Sequence, residues 1–212
     1  MKDTDRGLFI KILPAERADK FLNGELYFNT DKYFSALDLQ DKVRSDPDED
    51  IDESWQIKEI SIQDKKSGEY IPISGVISPA KYRYGNRQQL NILCVYVLLD
   101  RKDFEIDDRI LKFGDTAIVI RDAIEFTKRL HKAANDIGLS VKQQPIEYVE
   151  KAKYHGAIGP FRKYETFRYQ SEFRYLLSPG NGEPIKLQVG DLRDLCFFIP
   201  STEIRNLKPE YA

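Results

Sequence analysis

The sequence predicts an α+β fold in a single domain, with mainly antiparallel strands and a few helices. Three observations support this class. The 212 residues suffice for one well-buried domain and are few for two of ordinary size. Short segments with strand-like patterns recur along the whole chain, whereas only one long helical pattern is present. The helices fall near the start and the middle, with strands around them, which is typical of α+β domains.

The N-terminal third alternates strands with short helices. Its predicted elements are a strand over 8–13, a helix from 14 to 23, a strand over 25–30 and a short helix over 32–37. Pro14 suits a first helical turn, and Asn23-Gly24 marks the end of that helix. Thr30 or Asp31 can cap the next helix. An acidic run follows, and we expect it to form a mobile loop over 40–54.

The remaining chain is predicted to form strands around one long helix. The predicted strands cover 56–62, 70–73, 90–99, 146–149, 167–177, 185–189 and 195–199. The first two form a hairpin around Ser67-Gly68, and the almost wholly apolar third strand is expected to lie in the centre of a sheet. Asp122 and Glu125 resemble a capping box at the start of the long helix, and Gly138 stops it.

Composition argues against several classes of function. A formal net charge of −2, with 32% charged residues, gives no overall reason to bind nucleic acid or an anionic membrane. The longest apolar stretch, Ile92 to Leu99, is too short to span a bilayer, and the first residues lack the apolar region of a signal peptide. We therefore expect a cytoplasmic protein without membrane partners. Cys94 and Cys196 lie in apolar runs that favour free thiols, and the scarcity of histidine weakens a Ser–His or Cys–His hydrolase.

Glu172 is the strongest candidate for a functional side chain. It stands inside an aromatic, strand-like segment, where glutamate is depleted and seldom buried without a partner. Gln170 lies two residues earlier and would share a face of an extended chain with Glu172. The alternative without a function is an ion pair with Arg168 or Arg174 on a partly exposed strand.

Two charged segments offer further sites. Basic and aromatic residues alternate in Lys81-Tyr82-Arg83-Tyr84-Gly85-Asn86-Arg87, as they do on platforms that stack single-stranded nucleic acid. The candidate acceptor-binding residues are therefore Tyr82, Arg83, Tyr84 and Arg87, although a solvated loop explains the pattern equally well. The acidic run approaches the spacing of a calcium-binding EF-hand, but Glu53 stands where that loop needs glycine, so we expect no metal.

Four parts of the chain share a recognisable pattern: residues 8–11 with 21–34, 112–120, 146–149, and 159–163 leading into 169–174. Together they resemble a large, poorly characterised family of bacterial domains that is common near phage-defence genes. The two end blocks are also similar to the ADP-ribosyltransferase fold, in which a late strand presents a catalytic glutamate. Gln170-Ser171-Glu172 resembles the Gln-x-Glu motif of the toxin branch of that superfamily, whose targets include nucleobases.

The resemblance implies mixed, mainly antiparallel sheets and transfer of ADP-ribose from NAD, with no metal. Catalysis would fall on Glu172 and Gln170. The residues implied in NAD binding are Lys11, Arg6, Tyr27, Thr30, Tyr33, Phe34 and Arg168. The implied protein is a toxin or effector of phage defence or of a toxin–antitoxin system. It would modify RNA, DNA or a host protein and could have a neutralising protein as partner.

Two other classes of function remain open. The chain could be a non-catalytic sensor or scaffold of a defence system, which binds a protein or nucleic-acid partner through one of its charged loops. A metal-dependent nuclease ranks last, because it needs carboxylates in a fixed cluster. The only such cluster in the sequence lies in the acidic run that is expected to be mobile.

Overall fold

Residues 7–36, 46–75, 78–84, 89–100 and 105–207 are described by a computed structural model. The strands are β1 (Gly7–Leu13), β2 (Glu25–Thr30), β3 (Glu53–Trp55), β4 (Ile60–Gln63), β5 (Tyr70–Ile73), β6 (Ala80–Tyr82), β7 (Asn91–Leu99), β8 (Thr116–Ile120), β9 (Ser140–Pro145), β10 (Glu147–Val149), β11 (Gly156–Ala157), β12 (Arg162–Tyr164), β13 (Glu172–Ser178), β14 (Ile185–Gln188) and β15 (Cys196–Pro200). The α-helices are α1 (Ala18–Leu22), α2 (Asp31–Ala36) and α3 (Ala123–Asp136). Short 3-10 helices cover Ala15–Arg17, Asp108–Phe113, Gly159–Phe161, Glu165–Gln170 and Ser201–Asn206.

The α+β class with mainly antiparallel strands is confirmed, and the central position predicted for β7 is confirmed with it. β13 pairs with residues 91–96 of β7 and therefore occupies one of its edges, with β9 beyond it. On the opposite edge, β2 pairs at 91–92 and β1 pairs at 96–99. β14 extends the sheet from β2, while β8 and β15 extend it from β1. β1 and β2 thus diverge along this second edge of β7. On that edge, residues 93–95 of β7 pair with no described strand.

The main core lies between the sheet and α3. Phe126 and Leu130 of α3 are completely buried, and they pack with Tyr175 of β13. The hydroxyl groups of Tyr175 and Thr127 lie 2.7 Å apart, which ties β13 to the helix. Side chains alternate between the two faces of a strand. Because Tyr175 faces α3, Glu172 and Arg174 face the opposite side of the sheet.

A second, smaller sheet consists of β11, β3 and β6. Ile51, just before β3, is completely buried in a cluster with Val149, Ile158 and Tyr164. This cluster fixes the position of the residues that precede β3. No helix among the described residues is long and apolar enough to cross a membrane.

The sequence patterns misplaced two strands. The predicted strand over 56–62 begins only at Ile60, as β4, and residues 56–59 form no strand, although the hairpin of β4 with β5 is confirmed. The predicted strand over 167–177 begins only at Glu172, because residues 165–170 form a 3-10 helix. Ser171 ends that helix with its backbone in the left-handed region, at φ 36° and ψ 55°. The aromatic residues around Ser171 do not predict such a turn.

Asp122 is confirmed as the N-cap of α3, since its Oδ1 accepts a hydrogen bond of 2.8 Å from the backbone N–H of Glu125. Replacing Asp122 by alanine should lower the free energy of unfolding by about 0.5–2 kcal/mol, as measured by urea denaturation. Asp136, which pairs with Lys132 on the surface of the same helix, provides the control. Asp136→Ala should cost less than about 0.5 kcal/mol, and equal losses in both variants would contradict the capping role.

Candidate active site

A cavity of about 210 Å³ opens where β1 and β2 diverge along β7. Its walls include residues 10–13 of β1, Tyr27 of β2 and Cys94 of β7. Lys11 reaches across the gap, and its Nζ donates a hydrogen bond of 2.8 Å to the carbonyl oxygen of Cys94. The cavity therefore lies in the gap between β1 and β2, and the backbone of β7 is exposed to it there.

Side chains that the resemblance implied in one site do meet in this cavity. The predicted residues among those that line it are Lys11, Tyr27, Tyr33, Phe34, Gln170 and Glu172. The rings of Tyr33 and Phe34 pack edge to face with centroids 5.4 Å apart. Tyr27 and Tyr33 are both 44% exposed, so each ring retains surface that a ligand can cover. Residues more than 130 positions apart in sequence thus surround one space.

Glu172 belongs to a buried group of four charged side chains, which we call the charged quartet: Glu49, Lys163, Glu172 and Arg174. Glu172 Oε1 accepts from Arg174 Nε at 2.7 Å, and Oε2 accepts from Lys163 Nζ at 2.9 Å. Glu49 contacts the same cations, with Oε1 2.5 Å from Arg174 Nη1 and Oε2 3.1 Å from Lys163 Nζ. None of the four side chains is more than 7% exposed. Two cations and two carboxylates make the quartet formally neutral.

The quartet keeps Glu172 ionised. Burial opposes ionisation, but the Arg174 guanidinium and the Lys163 ammonium outweigh it and hold the pKa of Glu172 well below its usual value. Burial also disfavours the charged form of Lys163, yet Glu172 and Glu49 hold the pKa of that ammonium above its usual value. The thiol of Cys94 shows the opposite behaviour, since burial raises its pKa to about 12, and the charge of Glu172 adds to the rise. The cavity therefore holds a carboxylate anion beside a neutral thiol.

The left-handed turn at Ser171 aims Gln170 and Glu172 at the same cation. Lys163 Nζ donates to Gln170 Oε1 at 2.8 Å as well as to Glu172. Ser171 holds the turn against β7, because its Oγ donates to the carbonyl oxygen of Val97 and its own carbonyl accepts from the Val97 N–H, both at 2.7 Å. The expectation that both side chains share a face of an extended strand was wrong, but the two side chains still converge.

The ion pair considered as the non-functional role of Glu172 is present, but it is buried rather than partly exposed. Arg174 is 1% exposed and is the partner. Arg168 instead pairs with Glu165 at 2.5 Å on the surface, and it does not line the cavity. The expectation that Arg168 contacts NAD therefore has no support from its position, since Glu165 and the solvent-facing 3-10 helix hold it elsewhere.

Two further implied NAD-binding residues lie outside the cavity lining or outside the described residues. The hydroxyl of Thr30 accepts a hydrogen bond of 3.1 Å from the Tyr33 N–H, so it caps the first turn of α2. Thr30 does not line the cavity. Arg6, like Arg87 of the proposed acceptor site, lies outside the described residues.

The acidic segment, residues 46–53, is not the solvated loop that its composition suggested. Asp46 is 2% exposed and Glu49 is 5% exposed. The buried side chain of Ile51 anchors the segment, while Lys163 and Arg174 attract Glu49 inward. For residues 46–53 the expectation of a solvated loop over 40–54 is wrong, while its mobility stays a prediction, and residues 40–45 lie outside the described part of the chain.

Basic residues that were candidates for acceptor binding instead contact the acidic segment. Lys81 Nζ lies 2.5 Å from Asp48, and Arg83 Nε lies 2.7 Å from Asp50. The N–H of Tyr84 donates to Asp52 Oδ2 at 2.7 Å. The rings of Tyr82 and Tyr84 stay exposed, but Tyr82, Arg83 and Tyr84 do not line the cavity. The two described basic charges of this stretch, Lys81 and Arg83, are therefore matched within the chain.

Asp46 should make stability depend on pH. Burial raises its pKa from 3.8 to about 6, with Lys163 opposing the rise and Glu49 adding to it. The native pKa is above the unfolded one, so its contribution to stability is present below pH 4 and is lost as pH rises through 6. Asp46→Asn cannot ionise. Its free energy of unfolding relative to wild type should therefore increase by about 2–3 kcal/mol from pH 4 to pH 7.

Urea denaturation at pH 4, 5, 6 and 7 measures this difference. The surface variant Asp136→Asn is the control, because its side chain is 60% exposed and pairs only at the surface. A difference between Asp46→Asn and wild type that does not change with pH would contradict the buried, raised-pKa carboxyl.

Sequence reasoning missed Glu49 and Lys163 and assigned Arg174 only a surface pairing. Glu49 was hidden in a run of acidic residues that reads as a solvated loop. A signal was present, since the single apolar residue Ile51 within that run indicates contact with a core. Lys163 lies on β12, a strand of three residues that is too short to show a pattern.

Comparison with known proteins finds no matching family model, no similar curated protein and no similar solved structure. Over the described residues, the structure also shows no group of three or more His, Cys, Asp or Glu side chains placed to hold a metal ion. Functional inference therefore depends on the geometry of the cavity and its charged quartet.

Proposed function

We propose that the chain is an ADP-ribosyltransferase effector that breaks NAD in the cavity beside Glu172. One observation carries the proposal. A buried, ionised glutamate opens onto a cavity that also contains Gln170 and aromatic side chains from β2 and α2. The resemblance to the ADP-ribosyltransferase fold implies the same residues in one site.

The reaction breaks the bond between ribose C1′ and the nicotinamide ring nitrogen. Its electron pair leaves with nicotinamide, which becomes neutral, and positive charge develops on the ribose. Glu172 stabilises that charge and binds ribose hydroxyls. Each of its oxygens accepts one hydrogen bond in the quartet, the Cys94 thiol also hydrogen-bonds to this carboxylate, and the four lone-pair positions of a carboxylate leave capacity for a further bond. The acceptor then attacks C1′, and its proton passes to solvent, since the low pKa of Glu172 makes it a weak base.

The cavity fits one end of the dinucleotide. Its volume of about 210 Å³ is below the roughly 300–1,000 Å³ of pockets that enclose a drug-sized ligand. The nicotinamide and its ribose would enter, and the adenosine half would lie outside. The cationic nicotinamide ring can stack on Tyr27, Tyr33 or Phe34, while Lys11 is near enough to the same space to contact phosphate.

A protein or a base could be the acceptor, but the described surface favours a protein. A nucleic acid that used Lys81 and Arg83 would first have to displace Asp48 and Asp50 from them. Polyanion binding depends on cations that can neutralise phosphate. The internal pairing therefore removes the electrostatic advantage that the basic and aromatic pattern suggested.

A second candidate function is a non-catalytic module that binds NAD or a related ligand and signals to a partner. Both oxygens of Glu172 are already ion-paired within a neutral quartet, which favours this alternative. It predicts binding without turnover. A role in phage defence or in a toxin–antitoxin system is compatible with either function.

The test uses NAD labelled in its ADP-ribose portion. Purified protein is incubated with this substrate and with RNA, DNA or lysate proteins in separate reactions. We expect label in one acceptor fraction, together with free nicotinamide. Free labelled ADP-ribose without any acceptor would identify water as the acceptor. Saturable NAD binding by folded protein without nicotinamide release would overturn the enzyme in favour of the binding module.

A further inference from the structure

We infer that Glu49 is a positioning residue for Glu172. Glu49 accepts some of the hydrogen bonds that Lys163 and Arg174 donate, so that Glu172 retains capacity to bind substrate. The inference rests on the proposed function and assigns a role to the acidic segment. Glu49 lines the same cavity as Glu172. No feature of the sequence alone placed these two carboxylates together.

Glu49 and Glu172 share both of their cationic partners. Arg174 donates from Nε to Glu172 and from Nη1 to Glu49, at 2.7 and 2.5 Å. Lys163 Nζ lies 2.9 Å from Glu172 and 3.1 Å from Glu49. Arg174 Nη1 also donates to the carbonyl oxygen of Pro160 at 2.5 Å, which fixes the guanidinium plane. The two carboxylates therefore face each other across one pair of cations.

Charge balance explains why a second carboxylate is needed. Without Glu49, Lys163 and Arg174 would both be directed at Glu172, and the quartet itself would carry an excess positive charge, with Asp46 acting on Lys163 from outside the quartet. Buried charge without a partner is unfavourable, so Glu172 would be bound more tightly by both cations. Its oxygens would then be weaker acceptors for ribose hydroxyls and less able to stabilise charge on the ribose.

The acidic segment delivers Glu49 through contacts outside the cavity. Ile51 is buried two residues after Glu49. Asp48 and Asp50, on either side of Glu49, pair with Lys81 and Arg83 of the β6 region. The basic residues that resembled a nucleic-acid platform thus hold the segment that carries Glu49. Their function in this arrangement is to position the quartet.

A different role for Glu49 makes the opposite prediction. Its carboxylate could occupy an anion site between Lys163 and Arg174 and block a substrate group from entering. Removing such a block would raise activity, whereas removing a positioning residue lowers it. Glu49→Gln keeps the size of the side chain and separates these two roles.

The first readout does not depend on NAD. Cys94 is half-buried and lines the cavity, and the charged groups that act on its thiol are Glu172, Arg174, Lys163 and Lys11. An excess positive charge in the quartet should favour the thiolate. We expect Glu49→Gln to increase the rate of Cys94 alkylation by iodoacetamide at pH 8.5 at least about fivefold, as followed by mass spectrometry. Cys196, which is buried elsewhere, reports unfolding through its own alkylation.

Two variants provide controls. Glu150→Gln removes a surface carboxylate that pairs with Lys153, and it should leave Cys94 alkylation unchanged. The double variant Glu49→Gln/Lys163→Met restores equal numbers of cations and carboxylates, so its alkylation rate should return toward wild type. If Glu49→Gln alone does not fold, Lys81→Met/Arg83→Met keeps all four quartet residues but loosens the segment that holds Glu49, and it should increase the alkylation of Cys94 in the same direction.

The second readout is steady-state nicotinamide release. Glu49→Gln should lower kcat at least about tenfold with KM for NAD changed less than about threefold. Unchanged Cys94 alkylation in a folded Glu49→Gln variant would overturn the charge-balance role whether or not NAD is cleaved. Higher kcat in that variant would overturn it in favour of the blocking role. Absence of NAD cleavage by wild type, with the expected change at Cys94, would reject the proposed enzyme and the substrate-binding part of the inference while retaining charge balance.

Discussion

Replacing Glu172 by glutamine is expected to reduce nicotinamide release from NAD by at least about 10²-fold. Glutamine has nearly the same shape but no charge, so its single carbonyl oxygen can accept from only one of Lys163 and Arg174, and it cannot stabilise a developing ribose cation. Chromatographic quantification of nicotinamide over time measures the effect. The variant also leaves the quartet with excess positive charge, so its folded state must be established by circular dichroism and thermal unfolding.

Glu147→Gln is the matched control for this loss. Glu147 pairs with Arg162 on the surface with 58% of its side chain exposed, and it lies outside the cavity lining. This variant should release nicotinamide at a rate within about twofold of wild type, because exposed pairs contribute little. A folded Glu172→Gln variant with the wild-type rate would remove Glu172 from the catalytic site.

Replacing Arg174 by methionine is expected to lower the free energy of unfolding by about 3–5 kcal/mol. Arg174 is 1% exposed and contacts Glu172, Glu49 and the backbone of Pro160. Without it, Lys163 alone must balance two buried carboxylates. Urea denaturation at pH 7 measures the loss.

Arg168→Met tests whether the effect depends on burial. Arg168 is 61% exposed and pairs with Glu165 on the surface, so its replacement should change the free energy of unfolding by less than about 1 kcal/mol. A loss below 1 kcal/mol in Arg174→Met would show that the quartet does not contribute to the stability of the fold in the way its burial indicates.

Local sequence patterns were sufficient for most of the main sheet and for α3. β7 was predictable because a short, nearly continuous apolar run requires burial on both faces. α3 was predictable because Asp122 supplies a cap and the apolar residues that follow keep helical spacing. β8 and β9 were missed, and β9 shows no strand pattern because its Lys142, Gln143 and Gln144 are polar and exposed. Pairing with β13, rather than local pattern, determines that strand.

The candidate site was predictable only in part, for a physical reason. Glu172 stood out because a glutamate among strand-forming residues conflicts with its surroundings. Glu49 did not stand out, because a glutamate among other acidic residues conflicts with nothing nearby. Its burial depends on Lys163 and Arg174, which are more than 110 positions away in sequence. Charge pairing over that separation requires the fold itself to be known.

The most direct test of catalysis at Glu172 is a time course of NAD followed by proton NMR in the presence of purified protein and lysate acceptors. Wild-type protein should convert NAD so that free nicotinamide appears in step with NAD loss, and Glu172→Gln should leave the NAD signals unchanged over the same period. Intact NAD throughout a reaction with folded wild-type protein, or equal conversion by the folded variant, would contradict catalysis at Glu172.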